Sequence, residues 1–328
     1  MNIKRLDGIT SLILAFIFLF ITTISAIAGD LNVIGHRGAT GLLPENTLAG
    51  FKKAMELGVD TIELDIHLTS DNEAVVYHDS RLNPAITRDA NGKWIKERHL
   101  IKELTLSEVQ SYDVGKLNRK AGYAKKYPDQ KVAKGERIPT LCDVIQLAKR
   151  TGNKTHLFIE LKFSPLKPEE TKSPEEISNV VAKIIKDENI AERVTIISFD
   201  WKILMYFQNI MPEVPTGYVT VTKKGRDTIQ KKKTGASPWM AGIDIDEFGS
   251  IPKAVKSAGG SYWITNYKHA TGHKKNITSK IVEKAHDIGI KVIVWTPDSK
   301  SEMKKLIKTG VDGITTNRPD ILLSLLKR

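Results

Sequence analysis

The sequence predicts an α/β protein: a (β/α)8 TIM barrel with an inserted cap segment, preceded by a signal peptide. Strand-like and helix-like runs alternate over most of the 328 residues, and closure of roughly 250 such residues into an eight-stranded barrel is the natural solution. Charged residues follow several of the predicted strands, and residues 80–139 interrupt the alternation. A doubly wound open sheet is the alternative, but no Gly-x-Gly-x-x-Gly follows a predicted strand, which removes the usual dinucleotide site.

The individual elements are predicted from hydrophobic periodicity, which is about 3.6 residues for helices and two for strands. Strands are predicted at residues 31–35, 61–68, 74–77, 156–163, 194–199, 216–221, 242–245, 291–295 and 313–316. Helices are predicted at residues 47–57, 107–112, 141–149, 175–186, 201–210, 279–287, 301–308 and 321–326.

The first 28 residues are expected to be a secretory signal rather than part of the fold. Lys4 and Arg5 precede an apolar run at residues 9–24, and Ala26-Ile27-Ala28 has the small-x-small pattern of a cleavage site. The apolar run is shorter than the roughly 20 residues of a spanning helix, which favours cleavage near Ala28 over an uncleaved membrane anchor. The predicted mature chain, residues 29–328, is exported to a periplasm or secreted.

Composition narrows the classes of protein and of partner. Apolar residues make up 41% of the chain and charged residues 27%, as in ordinary globular proteins and unlike disordered or collagen-like chains. Cys142 is the single cysteine, so no intrachain disulfide can form. The net charge of +12 is compatible with transient contact with anionic lipid head groups. Nucleic-acid binding is not expected, because aromatic residues are not interleaved with the basic ones. No protein partner is predicted.

Residues 80–139 are predicted to form an insertion over the mouth of the barrel. They contain turn residues, Trp94, several tyrosines and many lysines, with one short helical run at residues 107–112. Sixty residues without regular alternation inside a compact domain indicate a cap rather than a linker.

Two predicted strands present charged side chains on one face. In residues 61–68, Glu63, Asp65 and His67 alternate with isoleucines and a leucine; Glu160 and Lys162 do the same in the strand that starts at residue 156. Because the apolar faces must pack on the helices, the charged faces are expected to point into the barrel. Two inward carboxylates are costly to ionise without a compensating cation.

Two more predicted strands end in basic and acid–base side chains. His36-Arg37 follows the first and His78-Asp79 the third, and the mouth of a barrel, at the carboxyl ends of its strands, is where active sites lie. Each such residue by itself is more often structural than catalytic, since buried charges also pair with one another. The whole set is costly to bury without a function.

The residue types indicate cleavage of a phosphate ester. Three carboxylates suit a hard divalent cation such as Ca²⁺ or Mg²⁺, and Arg37 and Lys162 suit an anionic phosphate. Two histidines suit a pair in which one takes a proton from a nucleophile and the other gives one to a leaving oxygen.

These motifs, in this order, resemble the glycerophosphodiester phosphodiesterase family. The resemblance is carried by His36-Arg37-Gly38, Pro44-Glu45-Asn46-Thr47, Glu63-x-Asp65, His78-Asp79 and Glu160-x-Lys162. It continues through Ser198-Phe199-Asp200, Val294-Trp295-Thr296 and residues 310–320, so it covers nearly all of the mature chain.

The resemblance implies a TIM barrel with a divalent metal, Ca²⁺ or Mg²⁺, and a small-molecule glycerophosphodiester substrate. It implies the following roles: Glu63, Asp65 and Glu160 as metal ligands, His36 and His78 as the acid–base pair, Arg37 and Lys162 on the phosphate, Glu45 near the metal or the glycerol hydroxyls, and Trp295 lining the pocket. The sequence departs from the family at Asn317-Arg318, where an acid and an aromatic residue are common; this removes an acid from the rim. His67 is expected to lie behind the ligands or at the rim, and not to be a ligand itself.

The expected reaction gives glycerol 3-phosphate and a free alcohol, by attack of a glycerol hydroxyl through a cyclic phosphate or by attack of water. Sequence leaves open the metal and the order in which the histidines act. Three alternatives remain: a lysophospholipase D on the same site, which needs an exposed apolar patch; a barrel glycosidase using Glu63 and Glu160; and a non-catalytic phosphodiester-binding protein.

Overall fold

The computed structural model describes residues 31–152, 154–233 and 235–328, and the predicted signal peptide lies outside these ranges. The strands are β1 Asn32–Gly35, β2 Thr61–Leu68, β3 Ala74–Val76, β4 His156–Leu161, β5 Val194–Ser198, β6 Thr216–Thr220, β7 Thr222–Lys223, β8 Arg226–Asp227, β9 Tyr262–Asn266, β10 Lys291–Trp295 and β11 Gly313–Thr316. The helices are α1 Leu48–Leu57, α2 Leu106–Ser111, α3 Leu141–Arg150, α4 Pro174–Asp187, α5 Trp201–Ile210, α6 Ile245–Phe248, α7 Ile251–Ser257, α8 Ser279–His286, α9 Lys300–Ile307 and α10 Pro319–Leu326.

Parallel strands in the order β1-β11-β10-β9-β6-β5-β4-β2 close into a barrel through the pairing of β1 with β2. The closing pairs bring Gly35 opposite both Thr316 and Ile62. The predicted TIM barrel is therefore confirmed. In such a barrel the carboxyl ends of all strands meet at one mouth, which brings segments that are distant in sequence together.

Two predicted strands differ from the structure. Residues 242–245 are not a strand: Asp244 accepts a hydrogen bond from the Asp246 N–H and starts the short helix α6. The barrel strand of this region is β9, at residues 262–266, which the sequence analysis missed. The predicted strand 74–77 exists as β3, but it pairs antiparallel with β2 and is not a barrel stave.

The barrel has an apolar interior and a larger apolar layer outside it. Six side chains fill the interior: Ile34, Phe158, Ile197, Val219, Ile264 and Ile293. Gly217 and Gly313 leave room for them, since a Cβ at either position would lie 2.7 Å from an isoleucine Cδ1. The opposite strand faces pack on the helices and form the larger layer.

Side-chain caps fix where several helices begin after the mouth. Thr140 with Asp143 and Ser173 with Glu176 form capping boxes at α3 and α4. Asp200 accepts from the Ile203 N–H at the start of α5. Within the ranges described above, no helix combines the length and the apolar character needed to span a membrane.

Residues 80–139 fold over the mouth around a small core of their own. Its buried members include Leu82, Ile101, Val109 and Ile138. The segment is tied to the barrel by hydrogen bonds from the Gln130 side chain and the Lys131 N–H to the loop after β1. It therefore supplies one wall of the cavity at the mouth.

Candidate active site

Three carboxylates converge at the mouth of the barrel. Glu63 and Asp65 lie on β2 and Glu160 on β4, and the parallel register places Asp65 directly opposite Glu160. One oxygen of each carboxylate lies within 4.8 Å of the other two. All three residues are buried. The inward face predicted from strand alternation is therefore the face that carries the acids.

Donors on neighbouring elements hold the cluster together. The Arg37 N–H donates to Glu63 Oε2 at 2.9 Å, and Asn46 Nδ2 donates to Asp65 Oδ2 at 2.8 Å. The Lys162 ammonium lies 2.7 Å from Glu160 Oε1 and 3.3 Å from Asp65 Oδ1. The left-handed conformation of Arg37, φ 51°, turns its N–H towards Glu63.

The carboxylates differ in how readily they ionise. Burial raises the pKa of Glu63, and the charges of Asp65 and Glu160 raise it further. Burial alone would also raise the pKa of Asp65, but nearby cations, Lys162 foremost, lower it below its usual range. Without another cation the cluster therefore favours a proton on Glu63.

The cluster fits a hard divalent cation. Asp65 Oδ1 is buried and accepts no hydrogen bond from any described residue. Three carboxylates offer the oxygen ligands that Ca²⁺ and Mg²⁺ prefer. A cation there would compensate the repulsion that raises the pKa of Glu63.

His36 faces the cluster from β1 and is held by an amide. Its Nδ1 lies 2.6 Å from Asn317 Oδ1, and Asn317 Nδ2 donates to Asp298 Oδ2 at 2.8 Å. Since Asp298 accepts from the amide nitrogen, the amide oxygen must accept from His36 Nδ1–H, which leaves the Nε2 lone pair free. Nε2 lies 3.9 Å from Glu63 Oε2. Burial and the Arg37 cation lower the pKa of His36 to about 3.

His78 follows β3 and is held by a carboxylate. Its Nδ1 lies 2.7 Å from Asp79 Oδ1, and Asn83 Nδ2 donates to Asp79 Oδ2 at 3.0 Å. Burial would raise the pKa of Asp79, but the hydrogen bond from His78 outweighs it and the pKa is about 2. An ionised Asp79 accepts the hydrogen bond from Nδ1–H and so orients the ring.

Arg37 connects the cluster to the cap. Its Nη1 donates to Glu45 Oε1 at 2.8 Å, and its Nε lies 3.3 Å from Asp65 Oδ2. The Tyr123 hydroxyl, from residues 80–139, donates to Glu45 and lies 3.5 Å from Arg37 Nη1. The cap therefore places a hydroxyl beside the cationic edge of the cluster.

A cavity of about 490 Å³ joins these groups. Seven of the nine predicted site residues line it: His36, Arg37, Glu45, Glu63, His78, Glu160 and Trp295. Of the other two, Asp65 is a buried member of the cluster, and Lys162 contacts the cluster at Glu160 and Asp65. Apolar side chains of the barrel interior, Ile197, Val219 and Ile264, complete the wall.

His67 lies outside the cluster, as expected, and three further contacts add to the site residues predicted from the sequence. His67 is buried outside the acidic cluster, with Nε2 3.3 Å from the His78 carbonyl oxygen. Sequence reasoning missed the contacts of Asn46, Tyr123 and the Asn317–Asp298 pair. Asn46 and Asn317 lie inside the motifs that carry the family resemblance, and that position could have indicated a role for their side-chain amides. For Tyr123 the sequence offers none.

The fold and the site together define a TIM-barrel hydrolase for phosphate diesters. The acidic cluster suits a divalent cation, the arginine and the lysine suit a phosphate, and two histidines face the same cavity. The geometry brings together groups that the sequence placed on four separate segments.

Comparisons with known proteins agree. The model of the Glycerophosphoryl diester phosphodiesterase family matches residues 36–321. A glycerophosphodiester phosphodiesterase from Caldanaerobacter subterraneus subsp. tengcongensis is 32% identical over 298 residues, which are 90% of this chain and 98% of the relative. The chain therefore belongs to the glycerophosphoryl diester phosphodiesterase family, and it is a phosphoric diester hydrolase as predicted.

Solved structures show the same architecture. A candidate glycerophosphoryl diester phosphodiesterase from Silicibacter pomeroyi is 31% identical, with a TM-score of 0.79 over 90% of this chain and 93% of that one. A phosphodiesterase from Oleispira antarctica, solved with the product sn-glycerol-3-phosphate, is 21% identical, with a TM-score of 0.66 over 90% of this chain and 97% of that one.

Proposed function

We propose that the protein is an exported, divalent-metal-dependent enzyme that cleaves glycerophosphodiesters into glycerol 3-phosphate and an alcohol. The observation that carries this proposal is the convergence of Glu63, Asp65 and Glu160 within 4.8 Å, beside two histidines that line one cavity. The Oleispira phosphodiesterase, whose structure holds sn-glycerol-3-phosphate as the product, supports the same substrate class.

The metal is proposed to be Ca²⁺ or Mg²⁺, held by Glu63, Asp65 and Glu160. When bound, it supplies a positive charge that polarises a phosphoryl oxygen and lowers the pKa of a nearby hydroxyl. The three buried carboxylates supply a site of matching charge and ligand chemistry.

His36 is proposed as the first base. Burial, with the Arg37 cation, keeps it neutral, because the resulting pKa of about 3 lies far below neutral pH. With Nδ1–H committed to Asn317, the Nε2 lone pair is free to take a proton from the attacking glycerol hydroxyl.

His78 is proposed as the first acid. The hydroxyl oxygen forms a bond to phosphorus while the bond from phosphorus to the alcohol breaks, and protonated His78 gives its proton to the departing oxygen. In the second half of the reaction water opens the cyclic phosphate, with His78 taking a proton from water and His36 returning one to the glycerol oxygen. Asp79 orients His78 through both halves.

Charged and polar residues position the substrate. Arg37 and Lys162 neutralise charge on the phosphoryl oxygens, since both remain cationic: burial opposes their charge, but the adjoining carboxylates raise the pKa of each. Glu45, with its donors Arg37 and Tyr123, receives the glycerol hydroxyls. Trp295 forms an apolar wall with Phe199, at a ring separation of 5.8 Å.

A product assay with and without a chelator tests this function. Glycerophosphocholine and lysophosphatidylcholine are incubated side by side with the protein. We expect glycerol 3-phosphate and choline from glycerophosphocholine, loss of both in the chelator, and recovery when Ca²⁺ or Mg²⁺ is added back. Preferential cleavage of lysophosphatidylcholine would instead assign a lysophospholipase D.

Two outcomes contradict the proposal. Turnover that survives the chelator contradicts the metal requirement and favours a metal-free mechanism such as that of the glycosidases. Binding of the diester without any product indicates a phosphodiester-binding protein. Export is a separate part of the proposal: the N-terminus of the protein recovered from its own cells is expected at Gly29, and an intact Met1 contradicts cleavage.

A further inference from the structure

A second cavity, of about 590 Å³, opens beside the active-site cavity. Both cavities are lined by His78, Asp79, Glu160, Phe199 and Arg226, whereas His36 lines only the first. Of the shared residues, His78 and Glu160 lie where the phosphorus centre of the proposed reaction is expected. A diester bound at this junction can therefore extend one arm into each cavity.

The first cavity fits the glycerol arm. Glu45, Tyr123 and Asn317 line it with groups that can hydrogen-bond to hydroxyls, and the barrel interior supplies an apolar wall. The second cavity is lined by Trp239, which the first lacks, and by Phe199, which the two share; their rings pack edge to face at 6.4 Å.

Two arginines from different segments line the second cavity. Arg226, on the β7–β8 hairpin, stacks over Phe199 with its Cζ 5.2 Å from the ring centre. Among the described residues it has no carboxylate within salt-bridge distance. Arg98, from the cap, has Asp79 as its nearest acid, at 3.9 Å. Stacking on a ring leaves the N–H edges of a guanidinium free to bind an anion.

The acids of the same cavity, Asp79, Glu160, Glu170 and Asp227, already have partners; Asp79 accepts from His78 and Asn83, and Glu160 pairs with Lys162. Glu170 accepts from Ser80 at 2.7 Å and from Lys167 at 3.1 Å. Asp227 accepts from the backbone N–H groups of Ile229 and Gln230, both at 3.0 Å. The wall therefore offers unpaired positive charge and little unpaired negative charge, and this favours an anionic group on the bound arm.

We propose that the second cavity binds the departing alcohol and selects alcohols that carry an additional anionic group, such as a terminal phosphate. The proposal rests on the phosphodiesterase function proposed above and names the substrate class of that site. When the bond from phosphorus to the alcohol breaks, His78 supplies the proton to the alcohol oxygen, and the phosphorylated alcohol leaves through the cavity lined by Arg98 and Arg226.

A matched pair of substrates tests the proposal. Glycerophosphoglycerol and the same diester with a phosphate on its terminal glycerol differ only in the anionic group. We expect the phosphorylated substrate to have a kcat/KM about tenfold higher, since charge-assisted contacts to a phosphate are the stronger hydrogen bonds. In Arg226→Gln the ratio of the two kcat/KM values is expected to fall towards one, and in Arg98→Gln to fall partly.

Lys224→Gln is the matched control. It lies in the turn of the same hairpin and removes one positive charge, but Lys224 lines neither of these two cavities. This variant is expected to keep the wild-type ratio. A fall as large as that in Arg226→Gln would assign the preference to overall charge and overturn the proposal.

The remaining outcomes separate this proposal from the proposed function. A wild-type ratio near one, with normal cleavage of glycerophosphoglycerol, overturns the anionic selection and leaves the phosphodiesterase intact. A wild-type preference that persists in both arginine variants also overturns it. Failure to cleave either substrate overturns both proposals.

Discussion

The two histidines of the site contact opposite kinds of partner. His36 donates its Nδ1–H to the neutral amide of Asn317, and His78 donates to the carboxylate of Asp79. An amide does not stabilise a protonated imidazole by charge, whereas an ionised carboxylate does. Two identical side chains are thereby held by partners of different charge, which matches the proposed roles of His36 as base and His78 as acid.

The two rings also stand on different parts of the molecule. His36 follows β1, and its partner Asn317 follows the adjoining barrel strand β11. Gly35 and Thr316, the last residues of these two strands, lie opposite each other. His78 follows β3, outside the barrel, at the start of the segment that forms the cap. The proposed base is therefore positioned by the barrel itself, and the proposed acid by the junction of barrel and cap.

Removing either ring should give the largest effect. His36→Ala and His78→Ala are each expected to lower kcat by about 10²–10⁴-fold, because each removes a proton transfer from the reaction. Turnover of glycerophosphocholine measures the change, and an unaltered melting temperature shows that the fold is retained. His99→Ala is the control, since His99 lies on the cap and lines neither of the two cavities. Near-normal activity in either active-site variant contradicts the assignment.

Exchanging the amide of Asn317 with the acid of Asp298 should give His36 a carboxylate partner, like the one that His78 has in Asp79. In the double variant Asp298→Asn and Asn317→Asp, a carboxylate faces the His36 ring. The amide at position 298 can still donate a hydrogen bond to the carboxylate at position 317. The new charge raises the pKa of His36, which must be neutral to act as the base. Activity at low pH is then lost, and the acidic limb of kcat/KM is expected to move up by about one pH unit or more.

The pH profiles of the wild type and the double variant measure this shift. An acidic limb that stays in place would show that His36 is not the group that must be neutral. Asn317→Asp alone is a less clean test, because the two acids would then face each other across the present 2.8 Å hydrogen bond.

The smallest effect is expected at the cap. Tyr123→Phe removes a hydroxyl that contacts Glu45 and Arg37, and we expect KM to rise about fivefold, with kcat little changed, because one polar contact to a charged group is lost. Tyr112→Phe is the control on the same segment, outside both cavities. Equal effects of the two changes would indicate a general loosening of the cap.

Strand alternation predicted the acidic cluster well, because both of its strands have one strictly apolar face. β2, β10 and β11 were predicted at their observed bounds. The prediction failed at residues 242–245, where Ile243 and Ile245 alternate as in a strand but Asp244 caps a helix. β9 was missed because periodicity alone does not separate one short apolar run from another, and the sequence analysis placed the strand of this region at residues 242–245 instead.

The roles of Asn317 and Tyr123 could not be predicted, because they depend on contacts across the fold. Asn317 was interpreted as the loss of an acid from the rim. In the structure its amide bonds to His36, 281 positions away in sequence, and Asp298 fixes its orientation. Tyr123 meets Glu45 only because the cap closes over the mouth, and the sequence carries no periodic signal for that closure.

The most direct test of the opposite roles uses a leaving group that needs no acid. A glycerophosphodiester of p-nitrophenol is mixed with each variant, and the first turnover is followed as nitrophenolate release. Since nitrophenolate departs without a proton, His78→Ala is expected to release it at a rate close to that of the wild type, whereas His36→Ala stays slow. Equal slowing of both variants, or recovery of His36→Ala alone, would contradict the account.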